Sequence, residues 1–299
     1  MKIIVTGSLG NISKPLTKHL VEKGHRVTVI STSSNRKAEI EALGAQAAIG
    51  TMEDVDFLSE IFKDADIVYA MEALNAGSFF DHNVDFIAAS TQIGKNYKEA
   101  FERSGVKRIV HLSSIGAHTN KGNGILAFHY NVENILNKLP KDVSIKFMRP
   151  VGFYYNMFAF IPSIKTQGAI IQNYGGDDKE PWVSPLDIAE VIAEQIEKPF
   201  NGREIRYIAS EEISPNEIAE TLGDAIGNRE LKWETIEDEK LLNNLINAGM
   251  NPQTAKGFVE MNASRRNGIL YEDYYAHQPV LGKVKVKEFA REFAIAYHQ

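Results

Sequence analysis

The chain has 299 residues, 43% of them hydrophobic and 24% charged, with a formal net charge of −6 and no cysteine. The length allows one large domain or one domain with a smaller companion. The acidic balance excludes a broad phosphate-binding face, which needs clustered Lys and Arg, and the missing cysteine excludes disulfides, thiolate metal sites and cysteine nucleophiles.

The N-terminus, MKIIVTG, enters a strand at once, without a basic-then-apolar leader. No apolar run approaches the roughly 18–20 residues of a membrane span. The expectation is a cytoplasmic protein with no membrane association. Residues 2–7 predict a buried strand and 12–23 a helix, with apolar Ile12, Leu16, Leu20 and Val21 on one stripe, Pro15 in the first turn and Gly24 at the end. Strands at 26–31, 45–50, 65–71, 107–114 and 144–150 then alternate with helices at 35–44, 54–64, 81–104 and 126–138. The strands are short and continuously apolar, as expected when both faces are covered. The pattern predicts a doubly wound parallel α/β sheet, the Rossmann architecture, over residues 1–150.

Beyond Pro150 the rhythm loosens. Residues 181–198 predict a loop capped into a helix, 204–210 a further strand, and 214–227 a helix with Ser214 as N-cap, Pro215 at N1 and Glu217 at N3. The tail from 237 is mostly helical. Residues 151–299 are expected to form a smaller substrate-side lobe interleaved with the sheet. The one basic cluster, GKVKVKEFAR at 282–291, is short and interrupted and is read as a solvated face.

The segment VTGSLGNIS at 5–13 carries the clearest chemistry. It follows a strand and opens a helix, the context that gives a glycine pattern meaning. Gly7 would make the tight turn, Gly10 would let a pyrophosphate approach the backbone, and the helix start near Asn11 would supply free N–H groups. Ser13 stands where a third glycine is usual. An NAD site usually has Asp or Glu at the end of the second strand. Here STSSNRK at 31–37 has no acid, and its hydroxyls with Arg36 or Lys37 suit a 2′-phosphate. NADP is therefore expected, with NAD the alternative if those cations merely decorate a helix start.

Four segments together, TGSLGNIS, VKRIVHLSSIGAH (106–118), MRPVGFYYNM (148–157) and PWVSPLDIAEVI (181–192), resemble the NmrA-like family of atypical short-chain dehydrogenase relatives. That group includes quinone and triphenylmethane reductases, and redox-sensing regulators that bind the cofactor without turning it over. The resemblance implies cofactor contacts at Gly7, Leu9, Gly10, Asn11 and Ile12, at Ser31, Thr32, Ser33 and Arg36, and at Met71, Glu72 and Ala73 beside the ribose. It implies Ser113, Pro150, Gly152 and Phe153 near the nicotinamide, and Tyr154 and Asn156 in the substrate pocket. Ser13, and Thr32 or Ser33 where the family often has Arg, are departures.

None of the eleven tyrosines is followed four residues later by Lys, so the proton relay of catalytic short-chain dehydrogenases is missing. The family alignment puts Ile125 at the Tyr position and His129 at the Lys position, with Glu133 one turn beyond. His129 is a candidate proton source, but the favoured reading is a structural ring bonding a ribose hydroxyl or a backbone carbonyl. His111 is expected in the core and His118 on a solvated loop. The histidines show no metal spacing, and no metal is expected.

Two functions fit. The first is an NADPH-dependent reductase of a quinone-like or other flat, electron-poor small molecule. The second is a non-catalytic NADP-binding redox sensor acting through a protein partner. An epimerase would need the Tyr–Lys pair, and direct nucleic-acid binding lacks a basic recognition helix.

Overall fold

Short apolar strands alternate with helices from the first residues of the chain: β1 (Lys2–Val5), α1 (Ser13–Glu22), β2 (Arg26–Ser31), α2 (Lys37–Ala42), β3 (Gln46–Ile49), α3 (Val55–Phe62), β4 (Ile67–Ala70), α4 (Phe86–Ser104), β5 (Arg108–Leu112), α5 (Ala127–Leu136) and β6 (Ser144–Pro150). The computed structural model describes residues 1–299, the side chain of Ala76 excepted. Then follow β7 (Gly152–Phe153), α6 (Ile161–Gln167), β8 (Ala169–Gln172), β9 (Glu180–Val183), α7 (Pro185–Glu197), β10 (Arg203–Ile208), β11 (Glu211–Ile213), α8 (Pro215–Ile226), β12 (Lys232–Thr235), α9 (Asp238–Asn247), α10 (Pro252–Arg266), α11 (Glu272–Ala276) and α12 (Val286–His298).

The main sheet has seven strands in the order β10-β6-β5-β4-β1-β2-β3, every pair parallel. The order reverses between β1 and β4, and at such a switch point the carboxyl ends of the strands open a ligand crevice. Residues of α1 and α7 (Leu16, Leu20, Ile188, Ile192) cover one face and those of α3, α4 and α5 (Leu58, Phe62, Tyr97, Val132) the other. Both faces are therefore dry, which explains why the strands read as unbroken apolar runs.

The sheet takes α7 and β10 from beyond Pro150, so residues 151–299 are divided between the sheet unit and the smaller lobe. The lobe has its own core of Tyr154, Met157, Phe160, Trp182, Trp233, Phe289 and Phe293. It also holds two small sheets, β11-β9-β7 and β12-β8, that an expectation of mostly helix leaves out. These strands are two to four residues long, too short for an alternation to register in sequence. The capping box at Ser214 and Glu217 forms as its spacing predicts. Helix α4 starts at Phe86 rather than 81, because Asp85 caps it by accepting from Ala88 N–H at 2.9 Å.

The basic segment 282–291 is docked rather than merely solvated. Gly282 N–H bonds Ala209 O at 2.8 Å, Val284 N–H donates to the buried Asp187 carboxylate at 3.0 Å, and Lys285 Nζ donates to the carbonyls of Ser210 and Gly282. The lysine charge there satisfies backbone oxygens at a chain crossing.

Helix α10 reaches back over the sheet edge and packs on the turn 124–126. A Cβ on Gly124 would lie 2.0 Å from Gly257 O, and the residue has φ +53°. Gly124→Ala is expected to cost about 3 kcal/mol through overpacking and backbone strain, read as a lowered urea midpoint. Gly122→Ala has a similar positive φ of +68° but only a methyl group at 4.0 Å. It should cost about 1 kcal/mol.

Candidate cofactor and active site

The loop between β1 and α1 is built around two constraints. Gly7 has φ +83°, and a Cβ there would lie 2.5 Å from Met71 Sδ and 2.8 Å from Ser13 Oγ, so no side chain fits. Ser8 N–H ties the loop to β2 at Ile30 O (3.1 Å), and Gly10 N–H closes a turn on Gly7 O (3.2 Å). Ser13, in the place of a third glycine, is buried and donates its hydroxyl to Thr6 O at 2.9 Å. The serine therefore permits close helix–strand packing and leaves no buried polar atom unpaired. Leu9 and Ile12 are buried below the loop and Asn11 is exposed. Helix α1 has no side-chain cap and no acid in its first turn. Its N–H groups and positive dipole end thus face the crevice unshielded.

At the end of β2, Ser31 Oγ accepts from Ser8 Oγ at 2.9 Å and from Ser33 N–H at 3.2 Å, while Thr32 and Ser33 are exposed. Arg36 is half-exposed and lies 3.4 Å from Glu39; Lys14, from the first turn of α1, lies 2.9 Å from the same carboxylate. The hydrogen bond from Lys14 is the main cause holding the Glu39 carboxyl below its usual range. Two cations against one carboxylate leave this corner positive. Lys14 was not singled out from sequence, because its partner comes from another element.

At the end of β4, Met71 N–H donates to Thr6 Oγ1 at 2.9 Å, and Tyr97 of α4 donates its hydroxyl to Met71 O at 2.8 Å. Glu72 does not present its carboxylate to the crevice. It turns inward to His111 Nε2, at 3.0 and 3.2 Å, with both side chains buried. Ala73 is half-buried beside it.

Ser113 leaves β5 with its hydroxyl donated to Glu133 at 2.5 Å. It is buried, so this hydroxyl is engaged by Glu133 and is not offered to a substrate. Glu133 in turn receives a bidentate pair from Arg149 of β6, at 2.9 and 2.7 Å. Arg149 also reaches Asp273 (2.8 Å) and Tyr207 (3.2 Å). After Pro150 the chain forms β7, where Gly152 pairs with Trp182 and Phe153 with Val183.

Tyr154 departs from its expected place in the substrate pocket. It is fully buried, stacked on Phe289 at 5.7 Å, with its hydroxyl donated to Glu211 at 3.0 Å. Burial, then Glu211, pushes its hydroxyl pKa far up, so it neither lines an open pocket nor exchanges protons. Its neighbours Tyr155 and Asn156 are the exposed ones. Tyr155 borders a cavity of about 560 Å³ that opens beside Asn11, between Pro185 and Leu186 of α7 and Phe289 of α12.

Ile125 is buried in the turn beneath α10, so the tyrosine position of the relay is filled by packing. His129 is partly buried, and its Nδ1 has no partner among the described residues. Burial first, then His111 and Arg149, holds its pKa well below the usual value, so the ring is neutral at pH 7. His118 is not solvated as expected. Both its ring nitrogens are buried, and burial lowers its pKa too. The covering comes from α11 and the turn before it, which are remote in sequence.

Two consequences are measurable. As pH falls through about 6.5 the unfolded chain protonates His129 and His118 before the folded chain does, because burial lowers both in the fold. Stability should therefore fall as pH drops below 6.5, and His129→Gln should flatten the fall by about one proton. Arg149→Met leaves Glu133 uncompensated and should cost about 3–5 kcal/mol, most of it recovered in the double variant with Glu133→Leu.

The fold is shared with proteins of known structure. Among curated sequences, an NAD(P)H azoreductase of Xenophilus azovorans is 22% identical over 262 residues, 87% of this chain and 86% of that protein. Among solved structures, an NADPH-dependent quinone oxidoreductase of Escherichia coli complexed with NADPH superposes with TM-score 0.80 at 17% identity, over 97% of this chain and 99% of that one. Citrobacter sp. triphenylmethane reductase complexed with NADP(H) superposes with TM-score 0.73 at 18% identity, over 98% and 99%. The NmrA-like family profile matches residues 1–272, and the chain belongs to the NmrA-like family.

Proposed function

We propose that this protein is an NADPH-dependent reductase of a flat, electron-poor small molecule such as a quinone. The observation that carries the reading is the cradle at Gly7 and Gly10, open to the uncapped start of α1, with Lys14 and Arg36 rather than an acid beside the exposed end of β2. That combination fits a dinucleotide bearing a 2′-phosphate. Gly7, Leu9, Gly10, Asn11 and Ile12 would hold the pyrophosphate. Ser31, Thr32, Ser33, Arg36 and Lys14 would hold the adenosine end. Backbone at Met71–Ala73, with Pro150, Gly152 and Phe153, would flank the nicotinamide half.

The bound cofactor supplies the hydride, so the protein need only orient the acceptor, keep water out and deliver a proton. The cavity beside Asn11 lies within the usual range for ligand sites, roughly 300–1,000 Å³, and its walls at Tyr155, Leu186 and Phe289 suit a flat apolar molecule. With Ser113 and Tyr154 engaged elsewhere, His129, whose Nδ1 has no partner among the described residues, would be a candidate for the proton transfer. Neutral at pH 7, it can pass a proton without storing one.

The test is titration with NADPH and NADH, followed by absorbance at the reduced-nicotinamide band after adding quinones. NADPH should bind more tightly than NADH, and quinone should drive its oxidation. The double variant Lys14→Ser/Arg36→Ser should weaken NADPH binding about tenfold and leave NADH unchanged. Tight binding with no oxidation by any acceptor would replace this reading by that of a cofactor-binding sensor.

A further inference from the structure

The molecule holds two buried guanidinium groups in the same two-pronged grip of a glutamate. Arg149 gives Nε and Nη2 to Glu133, and its Nη1 goes to a second carboxylate, Asp273, which also accepts from the Tyr207 hydroxyl. Arg265, in the last turn of α10, repeats the first half of this arrangement. Its Nε and Nη2 donate to the two oxygens of Glu180 on β9, at 3.0 and 2.5 Å, with the two side chains 9% and 8% exposed. The Tyr271 hydroxyl donates to the same glutamate at 2.7 Å. The second half is missing, since Arg265 makes no hydrogen bond through Nη1 among the described residues. Where Arg149 meets Asp273, Arg265 borders a cavity of about 370 Å³.

We infer that this cavity is a second ligand site, which takes a flat aromatic monocarboxylate with its carboxylate on Arg265 Nη1. The ligand supplies the partner that Asp273 supplies to Arg149. The site is separate from the cavity beside Asn11, with which it shares no lining residue. It opens between the β8–β9 connection and the turn from α10 into α11, and Tyr174, Tyr271, Tyr275 and Pro215 are among its walls. Its Arg265 end backs onto β7, where a Cβ on Gly152 would lie 3.3 Å from the Trp182 ring and 3.6 Å from Arg265 Nη2.

Charge and shape select the class. The guanidinium lies against the rings of Tyr174 and Trp182, 4.2 and 4.6 Å from their centroids, and its remaining N–H groups lie in its own plane, the geometry that suits a carboxylate. The other cations at the cavity are already matched, Arg266 by Asp238 at 2.8 Å and Lys179 by Glu217 at 3.7 Å. Asp178 is exposed at the rim and opposes a second negative charge, so one carboxylate fits better than a phosphate or a dicarboxylate. The tyrosine faces then favour a flat ring behind the carboxylate. The volume lies within the usual range for ligand sites, roughly 300–1,000 Å³.

The probe is 2-naphthoate, titrated into the full chain by calorimetry with and without NADP+. One molecule should bind per chain with a Kd of about 0.1–1 mM, whether or not NADP+ is present. Two controls separate the parts of the ligand: 2-naphthamide keeps the ring without the charge, and acetate keeps the charge without the ring. Each should bind at least about tenfold more weakly. Arg265→Lys keeps a cation against Glu180 but removes the Nη1 donors, and should weaken 2-naphthoate about tenfold. Tyr275→Ala removes an exposed wall, should weaken it about threefold, and serves if the first variant does not fold. No binding of 2-naphthoate, or binding that both variants leave unchanged, would overturn the site. Displacement by NADP+ would place the probe in the cofactor crevice and overturn it too. Equal binding of 2-naphthamide or of acetate would overturn the ligand class. None of these results depends on turnover, so the reductase reading stands or falls separately.

Discussion

Arg149 is the tie on which the two parts of the molecule depend. It stands at the carboxyl end of β6, beside the edge strand β10, and its side chain is 4% exposed. A charge so buried persists only if it is paired from every side. Glu133 supplies a two-pronged partner from α5, Asp273 another from α11, and the hydroxyl of Tyr207 closes the ring from β10 by donating to Asp273 at 2.5 Å. Four elements meet at one cation. The same network takes up Ser113, whose hydroxyl donates to Glu133 and is unavailable for chemistry.

A second buried charge joins the C-terminal segment to the sheet. Asp187 accepts from Ser210 Oγ at 2.5 Å and from Val284 N–H at 3.0 Å, and Ser210 Oγ accepts from Ser184 N–H at 2.9 Å. Gly282 passes so close that a Cβ would lie 2.3 Å from Asp187 Oδ2. The start of α12 is thereby held against the start of α7, and the cavity beside Asn11 lies between them. The two carboxylates, Glu133 and Asp187, are thus architectural. A third, Glu72, is paired with a histidine that still has a nitrogen to spare.

The phosphate loop was legible from sequence because its requirements are local. Gly7 and Gly10 follow a strand and precede a helix, and the turn at Gly7 takes a φ of +83° that glycine adopts freely. Ser13 was readable as a small residue, although its bond to Thr6 O was not. The histidines were harder. His129 could be placed at a helical position, but its neutrality comes from burial among residues of other elements. His118 looks like a loop residue in sequence and is covered by a helix some 150 positions later. Tyr154 and Tyr155 are adjacent and chemically alike, and the fold buries one and exposes the other.

The sequence by itself determined the alternating layers, the cofactor loop and the absence of a Tyr–Lys relay, because each is written in short-range periodicity, in glycine spacing or in residue identity. Only the tertiary structure decided which polar groups remain available for chemistry. Whether Ser113, Glu72 or His129 can move a proton depends on what lies across the crevice, and those partners come from strands and helices far apart in the chain. Burial and pairing are properties of the packed molecule, and they set protonation state.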